Sequence, residues 1–383
     1  MKRRGRRLML IGTGVLSLWA ATFAQPVGGG LVVVPGSTKK VSQLTGDVDR
    51  ALKKPTLSQT TRRFGIVGTD LGSSFEHKGN LYFLFGDTLG QPGALDAIGW
   101  TSSTDPEKIN LDFHSGRGGR WLPPSVPGIR QAGLEVPSGG ISIGGTMFVV
   151  FTTDHTEAKP MGRSVLASST DEGRTFKVLY DLSRDKFINV SFVSREGWLY
   201  LYGSGEYRRS SVCLARVKPS DLSDRTHLEY FSGAAADGQP RWSPREADAA
   251  TLFQHNVVGE LSVSYLAPLA RYIMLYNSSA PRGIVMRSAP APAGPWTPGG
   301  VLFDALRDQG DAPFIHVSSR SGRGDTLGDP KREDQSGAAY GPFIMERYTN
   351  CSGDRCRLYY TMSTWNPYQV MVMQSEVRSA AGR

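Results

Sequence analysis

Met147-Phe148-Val149-Val150-Phe151, then Ser164-Val165-Leu166-Ala167, then Ser169-Thr170-Asp171-Glu172-Gly173-Arg174-Thr175-Phe176 is the stretch whose reading decides the fold. Short runs of β-branched, aromatic and aliphatic residues bounded by Gly, Asp and Ser read as strands joined by tight turns. The last eight residues match the pattern Ser-x-Asp-x-Gly-x-Thr-aromatic, known as an Asp-box. Asp171 is expected to accept backbone N–H groups, Gly173 to take a positive φ, and Phe176 to plug a core. Such a turn sits on the outer rim of a sheet and carries no chemistry of its own.

The same grammar recurs along the chain. Leu81-Tyr82-Phe83-Leu84-Phe85, Leu199-Tyr200-Leu201-Tyr202, Tyr272-Ile273-Met274-Leu275-Tyr276 and Leu358-Tyr359-Tyr360 repeat the Met147 run, each after another strand and a turn. In the middle three units a third strand follows: Ser164–Ala167, Val212-Cys213-Leu214-Ala215 and Ile284-Val285-Met286-Arg287. A polar turn and an outer strand with Phe or Trp then complete the unit, and Ala289 to Trp296 occupies the turn equivalent to the Asp-box in a later unit. No long amphipathic helix appears; Pro219 to Leu222 would give about a turn. Four antiparallel strands repeated five times describe an all-β chain, a five-bladed β-propeller with four-stranded antiparallel blades over residues 61–378. The competing arrangement is a large β-sandwich with accidental likeness among its strands. Residues 25–60, Gly-, Ser- and Lys-rich with one apolar patch at Leu31-Val32-Val33-Val34, read as a linker or N-terminal extension, or a strand that packs late.

Residues 1–24 read as a secretory signal. Five basic residues lie within the first seven, Leu8 to Phe23 is apolar or small, and Ala20-Ala21-Thr22-Phe23-Ala24 offers a cleavage point after Ala24. The doubled arginines hint at twin-arginine export. The span is shorter than the about 20 apolar residues of a membrane helix, which favours export over an uncleaved anchor. The expected location is secreted, periplasmic or in the cell envelope, with no stable membrane insertion after the signal is removed. Loss of those five charges takes the net charge from +9 to +4, too little for a nucleic-acid footprint. Cys351 and Cys356 enclose Ser-Gly-Asp-Arg between strand-like runs and suit a disulfide in an oxidising compartment, while Cys213 reads as a buried thiol. No second Cys or His pair stands at zinc-ligand spacing.

In a propeller the innermost strand of each blade lines the central funnel. The candidate inner strands begin at Thr69-Asp70, Glu135-Val136-Pro137-Ser138, Asn189-Val190-Ser191, Gly259-Glu260-Leu261-Ser262 and Tyr340-Gly341-Pro342. Asp70 stands in Gly68-Thr69-Asp70-Leu71-Gly72 and Asp87 in Phe85-Gly86-Asp87-Thr88, on two strands that His77-Lys78-Gly79-Asn80 folds into a hairpin. Paired carboxylates on rigid strands are the minimum equipment for acid/base cleavage of a glycosidic bond. Each aspartate alone has a blander explanation, since Asp beside Gly commonly caps its own turn. Glu260 is the third acidic candidate, or the partner of an arginine such as Arg208 or Arg287. Period two sets Glu260, Ser262 and Ser264 on one face of their strand. Asn189, Tyr82, His155, Tyr207, Arg208, Trp365 and Tyr368 supply the rings and polar groups that a sugar stacks on and bonds to. No nucleophile elbow, zinc-protease helix or phosphate loop is present. Ser321-Gly322-Arg323-Gly324-Asp325 lacks the strand-to-helix setting of a phosphate cradle and reads as a mobile loop.

With Gly68–Gly72 and Phe85–Thr88, joined by Gly203-Ser204-Gly205-Glu206-Tyr207-Arg208, Val258–Ser262 and Gly294-Pro295-Trp296, the chain resembles a bacterial domain-of-unknown-function family, some members of which are endo-D-arabinanases with a five-bladed propeller. The resemblance runs from about Phe64 to Val377. It implies hydrolysis of furanosidic linkages in a cell-wall polysaccharide, arabinan-like. Asp70 and Asp87 would be the catalytic pair, one as acid and one as base in either order, with inversion at the anomeric carbon and no cofactor. Glu260 is then kept as a substrate-binding or pKa-tuning residue. Two other functions stay open: a propeller that binds glycans without cutting them, and a sialidase-like enzyme in which Arg208, Arg287 and Arg347 converge.

Overall fold

The computed structural model describes residues 29–90, 95–329 and 331–380, so the signal segment lies outside the described residues. Five antiparallel sheets follow one another along the chain, each running from the centre outward. Blade 1 consists of Ile66–His77, Asn80–Gly90, Leu95–Thr101 and Asp112–Phe113. Blade 2 is Pro137–Ile143, Thr146–Thr153, Arg163–Ser169 and Lys177–Ser183. Blade 3 is Asn189–Arg195, Trp198–Ser204, Val212–Val217 and Glu229–Ala234, with Pro240–Ser243 as a fifth strand. Blade 4 is Val258–Leu266, Arg271–Ser279, Arg282–Ala289 and Gly300–Phe303. Blade 5 begins with Ala339–Ile344, Arg355–Thr364 and Gln369–Ser379. All five inner strands are those expected from the sequence.

The repeated apolar runs are the second strands, and their position explains their composition. Each lies between two neighbouring blades and is buried on both faces, so it reads as a continuous apolar run. Alternate residues serve opposite neighbours. Leu81, Phe83 and Phe85 pack with Tyr359, Val370 and Val372 of blade 5, whereas Tyr82 and Leu84 pack with Met147 and Val149 of blade 2. Further cores of the same kind fill the seams between blades 2 and 3, 3 and 4, and 4 and 5. A sixth, small cluster sits on the axis, where Leu71, Val136, Met161, Ile188 and Phe343 from four blades meet.

The Asp-box turn forms as expected. Asp171 Oδ1 accepts from the Thr175 N–H at 3.0 Å and from the Ser169 hydroxyl at 2.7 Å. Gly173 takes φ 84°, and Phe176 stands edge-on to Phe151 at 5.1 Å. Cys351 and Cys356 are bonded across the Asn350–Ser352 hairpin, and Cys213 is free and buried.

The N-terminal segment differs from a linker. Leu31–Val33 and Lys39–Gln43 both pair antiparallel with Gln369–Ser379 and form the outer strand of blade 5. Of the two readings of this segment, the packed strand is the one that holds, and the sheet begins at Leu31. Its side-chain bonds also cross to blade 4: the Leu31 N–H donates to Ser288 Oγ at 2.9 Å, and the Thr38 hydroxyl to the Leu302 carbonyl at 3.0 Å. The pattern was hidden because Lys39-Lys40-Val41-Ser42-Gln43 lacks the apolar run of a two-sided strand. Deleting residues 29–43 uncovers a long strand edge. We expect that deletion to lower the calorimetric melting temperature and promote self-association on size-exclusion chromatography, while Asp171→Ala lowers the melting temperature by only a few degrees.

Candidate active site

The two aspartate motifs are the two sides of one hairpin. Asp70 lies opposite Gly86, and the register slips on both sides of Asp70 and again between Phe85 and Thr88. Such bulges re-aim side chains that a regular ladder would turn into the sheet. Leu71 and Asp87 pay for this with left-handed backbones, φ 63° and 40°. The small and hydroxylated neighbours have their own tasks. A Cβ on Gly68 would come within 2.9 Å of the Tyr368 carbonyl, and one on Gly86 within 2.5 Å of Val136 Cγ1. Thr69 and Thr88, both fully buried, share a hydroxyl bond of 2.7 Å that ties one motif to the other.

Both carboxylates line a cavity of about 310 Å³ at the funnel mouth, together with Tyr207, Arg208, Glu260, Tyr340, Trp365 and Tyr368. The floor is apolar, formed by Leu71, Val136 and Met161 of the axial cluster. Asp70 is buried, and Oδ2 accepts a 2.9 Å bond from the Tyr340 hydroxyl while Oδ1 has no partner. Burial, and then the like charge of Asp87, push its pKa well above the ordinary carboxylate range, against the opposing pull of the Tyr340 and Tyr368 hydroxyls. Asp87 is half-buried, and Oδ1 accepts from the Leu134 N–H at 2.8 Å. Burial raises its pKa too, while the Leu134 bond and the nearby His155 favour the charged form. Neither aspartate caps its own turn: the partners of Asp70 and Asp87 lie 270 and 47 residues away.

Glu260 settles with Arg208. Nε and one terminal nitrogen of Arg208 donate to Oε1 at 3.2 and 2.9 Å, leaving Oε2 buried and without a partner. The guanidinium lies over the rings of Tyr207 and Tyr340, 4.8 and 5.0 Å from their centres. Trp365, 41% exposed, stands edge-on to Tyr368 at the rim.

Two expected contact residues lie behind the wall. His155 Nδ1 accepts from the Met161 N–H at 3.2 Å, and Asn189 donates to the Met161 sulfur at 3.7 Å. Neither lines the cavity, because Met161 with its left-handed φ of 62° stands in front of both. Tyr82 is in the seam between blades 1 and 2. The three arginines of the sialidase-like reading do not converge: Arg287 bonds the Tyr276 hydroxyl and the Thr297 carbonyl, and Arg347 pairs with Glu76. The loop at 321–325 is anchored rather than loose, since Asp325 accepts from the N–H groups of Val317 and Leu327 and bonds His316 at 2.6 Å.

Sequence reading missed two buried acids near the pair. Asp96, on the third strand of blade 1, accepts from Gln131 at 3.3 Å, and burial followed by the charges of Asp87 and Asp70 raises its pKa well above the ordinary range. Glu135 accepts from Arg130 and from the His155 N–H at 2.9 Å. Asp96 follows a turn and precedes an apolar run, a setting that carries no signal of a funnel position. Among the described residues no three His, Cys, Asp or Glu side chains gather as metal ligands would.

Two measurements check these electrostatics. A carboxyl whose pKa is raised on folding contributes stability that is fully present below the unfolded pKa and is lost as pH rises towards the folded value. Asp70→Asn should therefore raise the melting temperature at pH 8 and leave it nearly unchanged at pH 4. Tyr340→Phe removes a bond that favours the charged carboxylate, so the Asp70 titration, read by carbon-13 NMR of labelled aspartate, should move to higher pH.

The chain belongs to the family described as Domain of unknown function (DUF4185), whose model matches residues 56–374. Notoamide biosynthesis cluster protein J of Aspergillus sp. (strain MF297-2) is 27% identical over 313 residues, covering 69% of this chain and 79% of that protein. Among solved structures, "a putative hydrolase from Bacteroides ovatus ATCC 8483" superposes with a TM-score of 0.55 at 15% identity, covering 82% of this chain and 87% of the other. The Bacillus subtilis arabinanase Arb43A gives a TM-score of 0.42 at 12% identity, over 82% and 96% of the two chains. The fold is thus shared with the Bacteroides ovatus protein.

Proposed function

We propose that this protein is an exported glycoside hydrolase acting on furanosidic linkages of an arabinan-like cell-wall polysaccharide, with Asp70 as general acid and Asp87 as general base. The observation that carries this reading is the unequal setting of two carboxyls at one cavity. An acid must keep its proton near neutral pH, and Asp70 has the deeper burial, a like charge beside it and a free Oδ1 to donate from. A base must be charged, and Asp87 has the backbone N–H of Leu134 and the more open position.

In the proposed reaction Asp70 Oδ1–H protonates the leaving oxygen while Asp87 takes a proton from the attacking water. Inversion at the anomeric carbon follows if that water sits between them. Tyr207, Tyr368 and Trp365 offer ring faces to the sugar, and Glu260 Oε2 offers an unused acceptor for a hydroxyl. Glu260 is not assigned as the acid, because its other oxygen is held by the Arg208 fork.

Asp70→Asn and Asp87→Asn should each lower kcat on arabinan by about 10²–10⁴-fold, measured as new reducing ends, with glycan binding retained. The roles separate on an aryl arabinofuranoside whose leaving group needs no proton: Asp70→Asn should recover much of its rate there, and Asp87→Asn should not. Binding to arabinan and other wall glycans with no reducing ends from any of them would replace this reading by that of a glycan-binding propeller.

A further inference from the structure

Beside the carboxylate cavity, on the seam of blades 4 and 5, lies a second cavity of about 510 Å³. Arg208, Ala338 and Tyr340 line both, so the two are neighbouring chambers with a common wall. We infer that the second chamber is a glycan subsite, taking a further sugar residue of the chain whose neighbour sits at Asp70 and Asp87. The inference rests on reading the first chamber as a glycan site.

Asn277 is the central observation. Only 8% of it is exposed, and its Oδ1 is buried without a partner. A polar atom stripped of water and given nothing in exchange calls for an explanation, and this side chain belongs to the lining of the second chamber. The fold makes room for this side chain at one place. Its amide lies against Gly259, where a Cβ would come within 2.3 Å of Nδ2. Gly259 and Glu260 are consecutive, within a register slip between Val258 and Leu261. The same irregularity therefore brings Glu260 to the first chamber and clears space for Asn277 at the second.

The lining defines the class of ligand. Asn277, Ser278 and Ser279 present an amide and hydroxyls, and Asp304 and Asp311 present acceptors. Arg208 is already committed to Glu260, which leaves Arg282 as the one other cation of this wall among the described residues. A phosphate or sulfate would face two carboxylates there, so the match is to a neutral polyhydroxy ligand. Leu306, 66% exposed, and Val257 add apolar surface of the kind that the C–H face of a sugar covers. The first chamber alone is at the low end of the roughly 300–1,000 Å³ typical of ligand sites, and the second extends it along one direction.

The test measures binding without turnover, so it is independent of whether the protein cleaves. In an Asp70→Asn background, linear arabinofuranosyl oligosaccharides of increasing length are titrated by calorimetry. Affinity should rise with length, and Ser279→Trp, which fills the chamber from its exposed rim, should cancel that rise by about tenfold for the longest oligosaccharide. Asn277→Leu, close in volume but without the amide, should do the same, with folding checked by thermal melting. An equal rise in the Ser279→Trp protein, or no dependence on length, would overturn the subsite. Cleavage of arabinan by the wild-type chain with either of those results would leave the catalytic reading standing without it.

Discussion

Asp70 beside Asp87 is the constraint that the rest of the structure answers to. A carboxyl taken out of water next to a second one destabilises the folded chain at any pH where both would ionise. An isolated hairpin could not hold such a pair. Here the hairpin is clamped on both sides: Phe83 and Phe85 are sealed against blade 5, Tyr82 and Leu84 against blade 2. Closure of the ring by the N-terminal strands on Gln369–Ser379 keeps the fifth seam tight, and Tyr340 and Tyr368, which face Asp70, both belong to that last blade. The distant end of the chain is thus part of the electrostatics of the first blade.

Much of this was legible in the sequence, for a physical reason. A strand buried on both faces must be apolar throughout, so the five second strands stand out, and the inner strands are found by counting back one turn from them. The carboxylates stand out because they interrupt strands otherwise built to be buried. Less visible were the features that depend on contacts between blades. Leu31–Val33 and Lys39–Gln43 cover an edge and need only one apolar face. Asn189 lies at its expected strand start and His155 in the loop after Thr153, yet the left-handed turn at Met161 stands in front of both. Asp96 stands near the pair from a position with ordinary local sequence, and Glu135, just ahead of an inner strand, is held by Arg130 and the His155 N–H.

The unequal setting of the two aspartates was also beyond the sequence, since both motifs have the form Gly-x-Asp or Gly-Asp at the end of a strand. The difference between them is made by partners from elsewhere. Asp70 meets phenol hydroxyls of blade 5, whereas Asp87 meets a backbone N–H from the loop entering blade 2. Both kinds of bond favour the charged form, and at Asp70 burial and the like charge of Asp87 outweigh the phenols. A backbone N–H on a half-exposed carboxylate favours the charged form.

Most of each motif is not chemical at all. Gly68 exists for the Tyr368 carbonyl, Gly86 for Val136, and Thr69 and Thr88 for each other. The same division recurs on blade 4, where Gly259 yields space to Asn277 while Glu260 turns toward Arg208. Glycine at or near an acid in the first two strands of a blade therefore has a common meaning in this fold. It marks a point where the ladder slips, another residue approaches the bare backbone, and the acid is turned out toward the funnel. A Cβ at any of these three glycines would leave the carboxylate in place in the sequence and move it in space.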